Sequence, residues 1–362
     1  MAQGKCKMKK EIGSIFPLDS KTISRAEVLS AKYSNKRFYY SLCREALFDI
    51  AVSIQKSNKT VLIPAYTCQT VITPFEEVGW NCIYYSIKKN LRIDIQSLTT
   101  LIESFSPTVL VVHPYFGMEL NNQEETALQQ ISEKGIKIVL DLTQCIFSKR
   151  RYPFITYTIG SYRKWFPIPD GGFMERNINT ASISQPEKEH NDFTEREIAA
   201  MYLRGQYFGN GEQRTKDISI RLSKAADHIA EGNIKPHRMS QVSYNLLQKE
   251  DKNHNQKRRF DNYSFLFYNI CESSKIRKVC LDFNEVTTAP LYFTLFVENR
   301  SILQRLLAQD AIYAPVIWPV EDERVLINEE VKYIYDHILA IPIDQRYNES
   351  DMQRVTEIIN RY

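Results

Sequence analysis

The sequence predicts an α/β protein, with a mainly parallel sheet covered on both faces and a smaller C-terminal α+β unit. Two observations carry this prediction. Between residues 61 and 144, short apolar runs alternate with segments of helical periodicity, the pattern of successive crossover units in a parallel sheet. The runs VLVV (109–112) and IKIVL (136–140) are apolar without alternation, as strands buried on both sides must be. At 362 residues the chain also exceeds what one core usually supports. A large unit over 1–245, N-terminal arm included, and a small one over 246–362 are expected.

The elements follow in order. SLCREALFDIAVSIQK (41–56) has helical spacing, and the aromatic RFYY (37–40) before it reads as a loop. VLIPAYT (61–67), NCIYYSI (81–87), TVLVVHPYFG (108–117), IKIVLDLTQ (136–144) and ITYTI (155–159) read as strands. Between them, TVITPFEEVG (70–79), DIQSLTTLIESF (94–105) and NQEETALQQISEKG (122–135) read as helices, the second opened by Asp94. Residues 192–232 are helical with breaks expected at Gly205, Gly209 and Gly211, and 239–270 reads as one long helix without Gly or Pro. The C-terminal part predicts strands at 290–298, 312–318 and 337–343, and helices at 301–310 and 349–362.

Composition excludes several classes. Hydrophobic residues at 43% and charged residues at 25% fit a globular protein, and a net charge of +4 does not announce nucleic-acid or membrane binding. No run approaches the roughly 18 apolar residues of a membrane span, and the basic MAQGKCKMKKEIGSIF start lacks a signal peptide's apolar core. The seven cysteines are scattered without a C-x-x-C pair, so neither a disulfide framework nor a metal site is expected, and a reducing cytoplasmic setting is.

Ligands of an open parallel sheet sit beyond the carboxyl ends of its strands. Asp141 ends an apolar strand there, as a helix cap, a structural ion-pair partner or a ligand-binding carboxylate. GSYRKWFPIPDGG (160–172) presents Lys164 on a stretch stiffened by Pro167 and Pro169 and closed by Gly171-Gly172. A lone lysine is ordinarily a solvated charge, so Lys164 draws its interest from this setting. His113, inside an apolar strand, reads as a hydrogen-bonded core histidine sooner than a catalytic one. The basic runs SKRR (148–151) and QKRR (256–259) read as solvated faces.

VLDLTQ followed by SYRKWFPIPDGG resembles the DegT/StrS-type sugar aminotransferases, pyridoxal phosphate (PLP) enzymes of fold type I. The resemblance continues, in order, through YSLCREALFDIA, IPAYTCQTVITPFEEVGWNCIYYSI, VLVVHPYFGMEL, HRMSQVSYNLLQ and ILAIPIDQRYNESDMQRVTEII. It implies a three-layer large domain with a small C-terminal α+β domain, PLP as cofactor and a Schiff base on Lys164. It further implies that Asp141 pairs with the pyridine nitrogen, that Gln144 lies beside the ring, and that Ser161 donates to the phosphate. The helix start at Cys43 and Arg44 would supply backbone N–H groups to that phosphate, and Cys68 takes the place of an aromatic often packed on the ring. A buried Lys164 with lowered pKa would move the proton.

The implied reaction carries an amino group from glutamate or glutamine to a keto-sugar, nucleotide-linked, in a homodimer. Cys43 replaces the family's glycine, Pro236 stands where an asparagine is common, and the Asp141-to-Lys164 interval is short. These departures keep open a PLP-binding homologue without turnover. A PLP lyase or dehydratase on the same scaffold is the other alternative. The related sugar dehydratases carry histidine in place of Lys164, and cysteine desulfurases place one where Arg163 stands.

Overall fold

The computed structural model describes residues 9–19, 37–177, 183–232 and 234–362; Cys6 and the rest of residues 1–8 lie outside them. Strand β1 (Arg37–Tyr40) leads into helix α1 (Cys43–Ser53), followed by β2 (Thr60–Pro64), α2 (Gln69–Glu76), β3 (Asn81–Tyr85) and α3 (Ile95–Phe105). Next come β4 (Val109–Val112), α4 (Asn122–Glu133), β5 (Lys137–Asp141), β6 (Tyr157–Ser161) and β7 (Gly172–Arg176). These strands form a seven-stranded sheet in the order β1-β7-β6-β5-β4-β2-β3. β6, β5, β4, β2 and β3 run parallel, and β7 and β1 close one edge antiparallel. β2, β4 and β6 are buried at every residue, which requires cover on both faces, as their apolar runs predict.

A helical hairpin follows, α5 (Asn191–Asn210) against α6 (Gln213–Gly232), and then α7 (Gln241–Lys249) and α8 (Lys252–Asn269). The remainder builds β8 (Ile276–Lys278), β9 (Tyr292–Val297), α9 (Arg300–Gln309), α10 (Glu329–His337), β10 (Ile338–Pro342) and α11 (Glu349–Arg361). β10-β9-β8 form a second, antiparallel sheet. Among the described residues no helix is long and apolar enough to cross a membrane, and the six described cysteines are free thiols.

Several expectations need correction. RFYY is not a loop but edge strand β1, in which Phe38 and Tyr40 face inward and Tyr40 Oη donates to Asp49 Oδ2 at 2.7 Å. The long helix over 239–270 is two helices, because Asp251 accepts from His254 N at 2.9 Å and starts α8 afresh. Residues 312–318 make no strand; Pro315 falls within them, and only Ile12–Ile312 forms an isolated bridge. Arg259 of the QKRR run is not solvated but 1% exposed, its guanidinium 4.6 Å over the ring of Trp165. The sequence reading also missed β7, β8 and α10.

Gly205 and Gly209 do not break α5; only Gly211 ends it, at a φ of 71°. Gly205 is there for space. The segment 9–19 crosses α5 at this point, with Leu18 N donating to Met201 O at 3.0 Å, and a Cβ on Gly205 would lie 2.5 Å from Leu18 O. A Cβ on Gly209 would meet nothing within 4 Å.

The two glycines are therefore expected to respond oppositely to alanine in urea unfolding. Gly209→Ala should gain about 0.5–1 kcal/mol from helix propensity. Gly205→Ala should lose about 1–3 kcal/mol, because the carbonyl it strikes belongs to backbone that must shift.

Candidate active site

Four parallel strands deliver polar side chains at their carboxyl ends. Asp141 is the last residue of β5 and caps a 3-10 turn (Leu142–Gln144), accepting from Thr143 N at 2.8 Å. His113 follows β4, with Nδ1 3.5 Å from Asp141 Oδ2 and Nε2 2.8 Å from Thr67 Oγ1, just past β2. Burial holds the His113 pKa down, against the pull of Asp141 and with a further push from Lys164. A neutral ring facing a carboxylate carries its proton on Nδ1, leaving Nε2 to accept from the Thr67 hydroxyl. His113 is thus the hydrogen-bonded histidine the sequence suggested, aimed at Asp141. Asp141 is at once the cap of the 3-10 turn, the neighbour of a neutral His113 ring and part of a cavity wall.

Ser161 ends β6, and the turn after it carries Lys164. Trp165 anchors that turn, fully buried, with Nε1 donating to Thr143 O at 2.8 Å and its carbonyl accepting from Gln345 Nε2 at 2.7 Å. At the far end Asp170 is 0% exposed and accepts from Ser240 N (2.8 Å), Ser240 Oγ (2.6 Å) and Ser243 Oγ. Burial raises its pKa, and those serine donors pull it back. Lys164 itself is exposed in the single chain. The burial that the resemblance implied is absent, because no described segment covers that side of the turn.

Helix α1 points its N-terminus at the same place. Leu42, its N-cap, has no side-chain acceptor; Glu45 N donates to Leu42 O at 3.2 Å and Leu42 N to Glu45 Oε2 at 3.4 Å, which leaves the N–H groups of Cys43 and Arg44 for an anion. The one acidic residue of that turn, Glu45, is 0% exposed, and burial pushes its pKa up to about 7 against hydrogen bonds from His237. Near neutrality it therefore offsets the helix dipole less than an ordinary carboxylate would. Gly172 lets β7 approach this helix; a Cβ there would lie 2.6 Å from Cys43 N.

The walls of one cavity of about 280 Å³ contain Cys43, Arg44, Cys68, Asp141, Gln144, Ser161 and Lys164, all the residues singled out in the sequence. Arg44 has no hydrogen-bond or ion-pair partner among the described residues, and burial, then neighbouring Arg163, lowers its pKa. Burial likewise pushes the Cys43 thiol well up, so it stays protonated. Gln144 Oε1 accepts from Phe116 N at 3.2 Å, and Cys68 Sγ accepts from Thr70 Oγ1 at 3.0 Å. Pro236 precedes His237, whose backbone N donates to Glu45 at 3.0 Å. The sequence reading did not assign His113, Thr143, Arg163 or Trp318 to this wall. For His113 the signal was available, since a histidine and an aspartate end adjacent strands.

A second cavity of about 810 Å³ shares Arg163 and Lys164 with the first. It is bounded by Gly13–Phe16, Glu197 and Met201 of α5, Arg305 of α9, and Arg259 and Arg346.

The architecture is that of the fold type I PLP enzymes. The chain is similar over nearly its full length to solved sugar aminotransferases. Spr1654 of Streptococcus pneumoniae, described as a putative sugar aminotransferase and solved in its PLP form, has a TM-score of 0.70 at 14% identity over 97% of this chain and 98% of its own. PseC of Helicobacter pylori, an aminotransferase involved in pseudoaminic acid biosynthesis, gives 0.66 at 12% identity over 97% and 99%. CalS13 of Micromonospora echinospora gives 0.65 at 14% over 98% and 100%. At such identities the likeness establishes the fold. No protein-family model matches the sequence, and no curated protein matches it.

Glu45 provides a pH test. Its folded pKa is raised, so its contribution is full below the ordinary carboxyl range and is lost as pH rises towards about 7. His190, held down to about 4 by burial and His237, gives the opposite slope in an overlapping window. The comparison must therefore be between the wild type and Glu45→Gln. Urea unfolding at pH 5 and pH 8 should show the wild type losing stability relative to Glu45→Gln, on the order of 3 kcal/mol.

Proposed function

We propose that this protein is a PLP-dependent aminotransferase that carries an amino group from glutamate or glutamine to a keto-sugar. One observation carries the reading: Asp141, Lys164 and the first two residues of α1, Cys43 and Arg44, share the wall of one cavity. The residues present fit the cofactor. Arg44, half-buried without a partner, and the N–H groups of Cys43 and Arg44 suit a dianionic phosphate, and the Ser161 hydroxyl has no hydrogen-bond partner among the described residues. Asp141, oriented by Thr143 N and His113, suits a protonated ring nitrogen. The bound cofactor supplies a carbonyl that captures amines and an electron-poor ring that stabilises a carbanion.

The chain's own residues supply positioning and proton movement. Asp141 keeps the proton on the ring nitrogen, and the His113–Thr67 pair keeps Asp141 in place. Lys164 Nζ, at the junction of the two cavities, is the amine that holds the cofactor and, once freed, moves a proton between substrate carbons. Gln144 keeps its amide N–H₂ for the ring edge, since its oxygen is engaged by Phe116 N. The larger cavity suits the sugar. Arg163 and Arg305 line it, and Arg305 has no ion-pair partner among the described residues, in keeping with a nucleotide-linked, anionic substrate. The exposure of Lys164 favours a homodimer in which a second copy covers the mouth.

That exposure, with Cys43 and Cys68, also motivates a second reading, a protein that binds PLP without turnover. Borohydride reduction of protein loaded with PLP, followed by peptide mass spectrometry, is expected to find the pyridoxyl group on Lys164 and to lose it in Lys164→Arg. Label on another lysine sinks both readings. Adding glutamate before reduction should abolish the label if transamination occurs, whereas unchanged labelling with glutamate and with glutamine supports the binder.

A further inference from the structure

The smaller cavity has aromatic rings on only two of its lining residues, His113 and Trp318. His113 is committed through both nitrogens, to Asp141 and to Thr67. At position 68, on the rim, the chain has a cysteine whose sulfur is taken by Thr70 Oγ1. A pyridine ring held at Asp141 therefore has no aromatic face to lie against from that loop.

Trp318 reaches the same wall from the irregular stretch between α9 and α10, although it is 250 residues from Cys68 in sequence. Its indole is half-buried, with its centroid 5.2 Å from Tyr66 and 6.3 Å from His113. Tyr66 is itself packed among Tyr115 (5.5 Å) and Tyr335 (5.1 Å). Tyr335 Oη ties the loop down, accepting from Thr67 N at 3.1 Å and lying 3.0 Å from the carbonyls of both Ala65 and Thr67. The indole is thus backed by a fixed aromatic cluster and lines the same cavity as Cys68.

We propose that Trp318 is the cofactor-packing residue of this protein, an indole face for the pyridine ring supplied from the C-terminal part of the chain where Cys68 has none. The proposal rests on the reading of the cavity as a PLP site. Electron-rich indole is the best natural face for a cationic, electron-poor ring. Its contribution should be to cofactor affinity, independent of turnover.

The test uses the full chain stripped of cofactor and labelled with 5-fluorotryptophan. Its three tryptophans give three fluorine resonances, assigned by replacing each in turn with phenylalanine. On titration with PLP, the Trp318 resonance should move upfield as the visible band of the bound cofactor appears. Trp318→Ala should bind PLP about tenfold more weakly, Trp318→Phe within about threefold of wild type. Adding Cys68→Phe to Trp318→Ala should restore most of the affinity, which a merely structural role for Trp318 would not allow. A Trp318 resonance that stays put while the band forms, or wild-type affinity in Trp318→Ala, overturns the proposal alone. Should Trp318→Ala fail to fold, the fluorine shift in the otherwise unaltered chain decides. If no band forms with the wild type, the cofactor reading falls and this proposal with it.

Discussion

The carboxylate of Asp170 is the constraint on which the site depends. Burying it completely would cost several kcal/mol without partners, and Ser240 and Ser243 supply three donors. The next two residues extend the tie. Gly171 N donates to Ser41 O at 2.7 Å, and Gly172 lies against the backbone of Cys43. Three consecutive residues thus fix α7, the entry to α1 and strand β7 to one turn, and that turn carries Lys164. An amine on a four-carbon stem is floppy by nature, so what can be fixed is its Cα. Trp165, locked by Thr143, Gln345 and Arg259, fixes it from the other side.

Charge in the cavity is arranged by burial as much as by pairing. Arg44 is left unpaired, and the carboxyl nearest the helix tip, Glu45, is shielded enough to hold its proton up to about pH 7. His113 is kept neutral beside Asp141. The outcome is a positive end at α1 and Arg44 and a negative one at Asp141, a polarity that suits a ligand with a phosphate at one end and a protonated nitrogen at the other.

How much of this was legible in the sequence follows from what each feature depends on. The five parallel strands were readable because burial on both faces forces uninterrupted apolar runs such as VLVV. Lys164 and Asp141 could be singled out because the motifs around them are local. β1 was missed because four residues that pair only at an edge, RFYY, carry no periodic signal long enough to count. Gly205 was misread since its reason is another segment's backbone, which no local pattern encodes. The division at Asp251 lost to the absence of Gly and Pro, though an aspartate cap suffices. Trp318 was invisible as part of the cavity because its approach is set by the packing of Tyr66 and Tyr335. The exposure of Lys164 could not be read from its neighbours in sequence at all.

The larger cavity is walled by Gly13–Phe16 on one side and by residues as late as Arg346 on the other. Gly13 N donates to Tyr347 Oη at 2.7 Å, and the Arg346 guanidinium reaches the carbonyls of Ser14 and Ile15, both at 3.1 Å. During synthesis the early segment leaves the ribosome long before these partners exist. The strands that present Asp141 and Ser161 can pair while translation continues, but this chamber must wait until residue 347 has emerged. The compartment next to Lys164 thus takes shape later than the strands beside it.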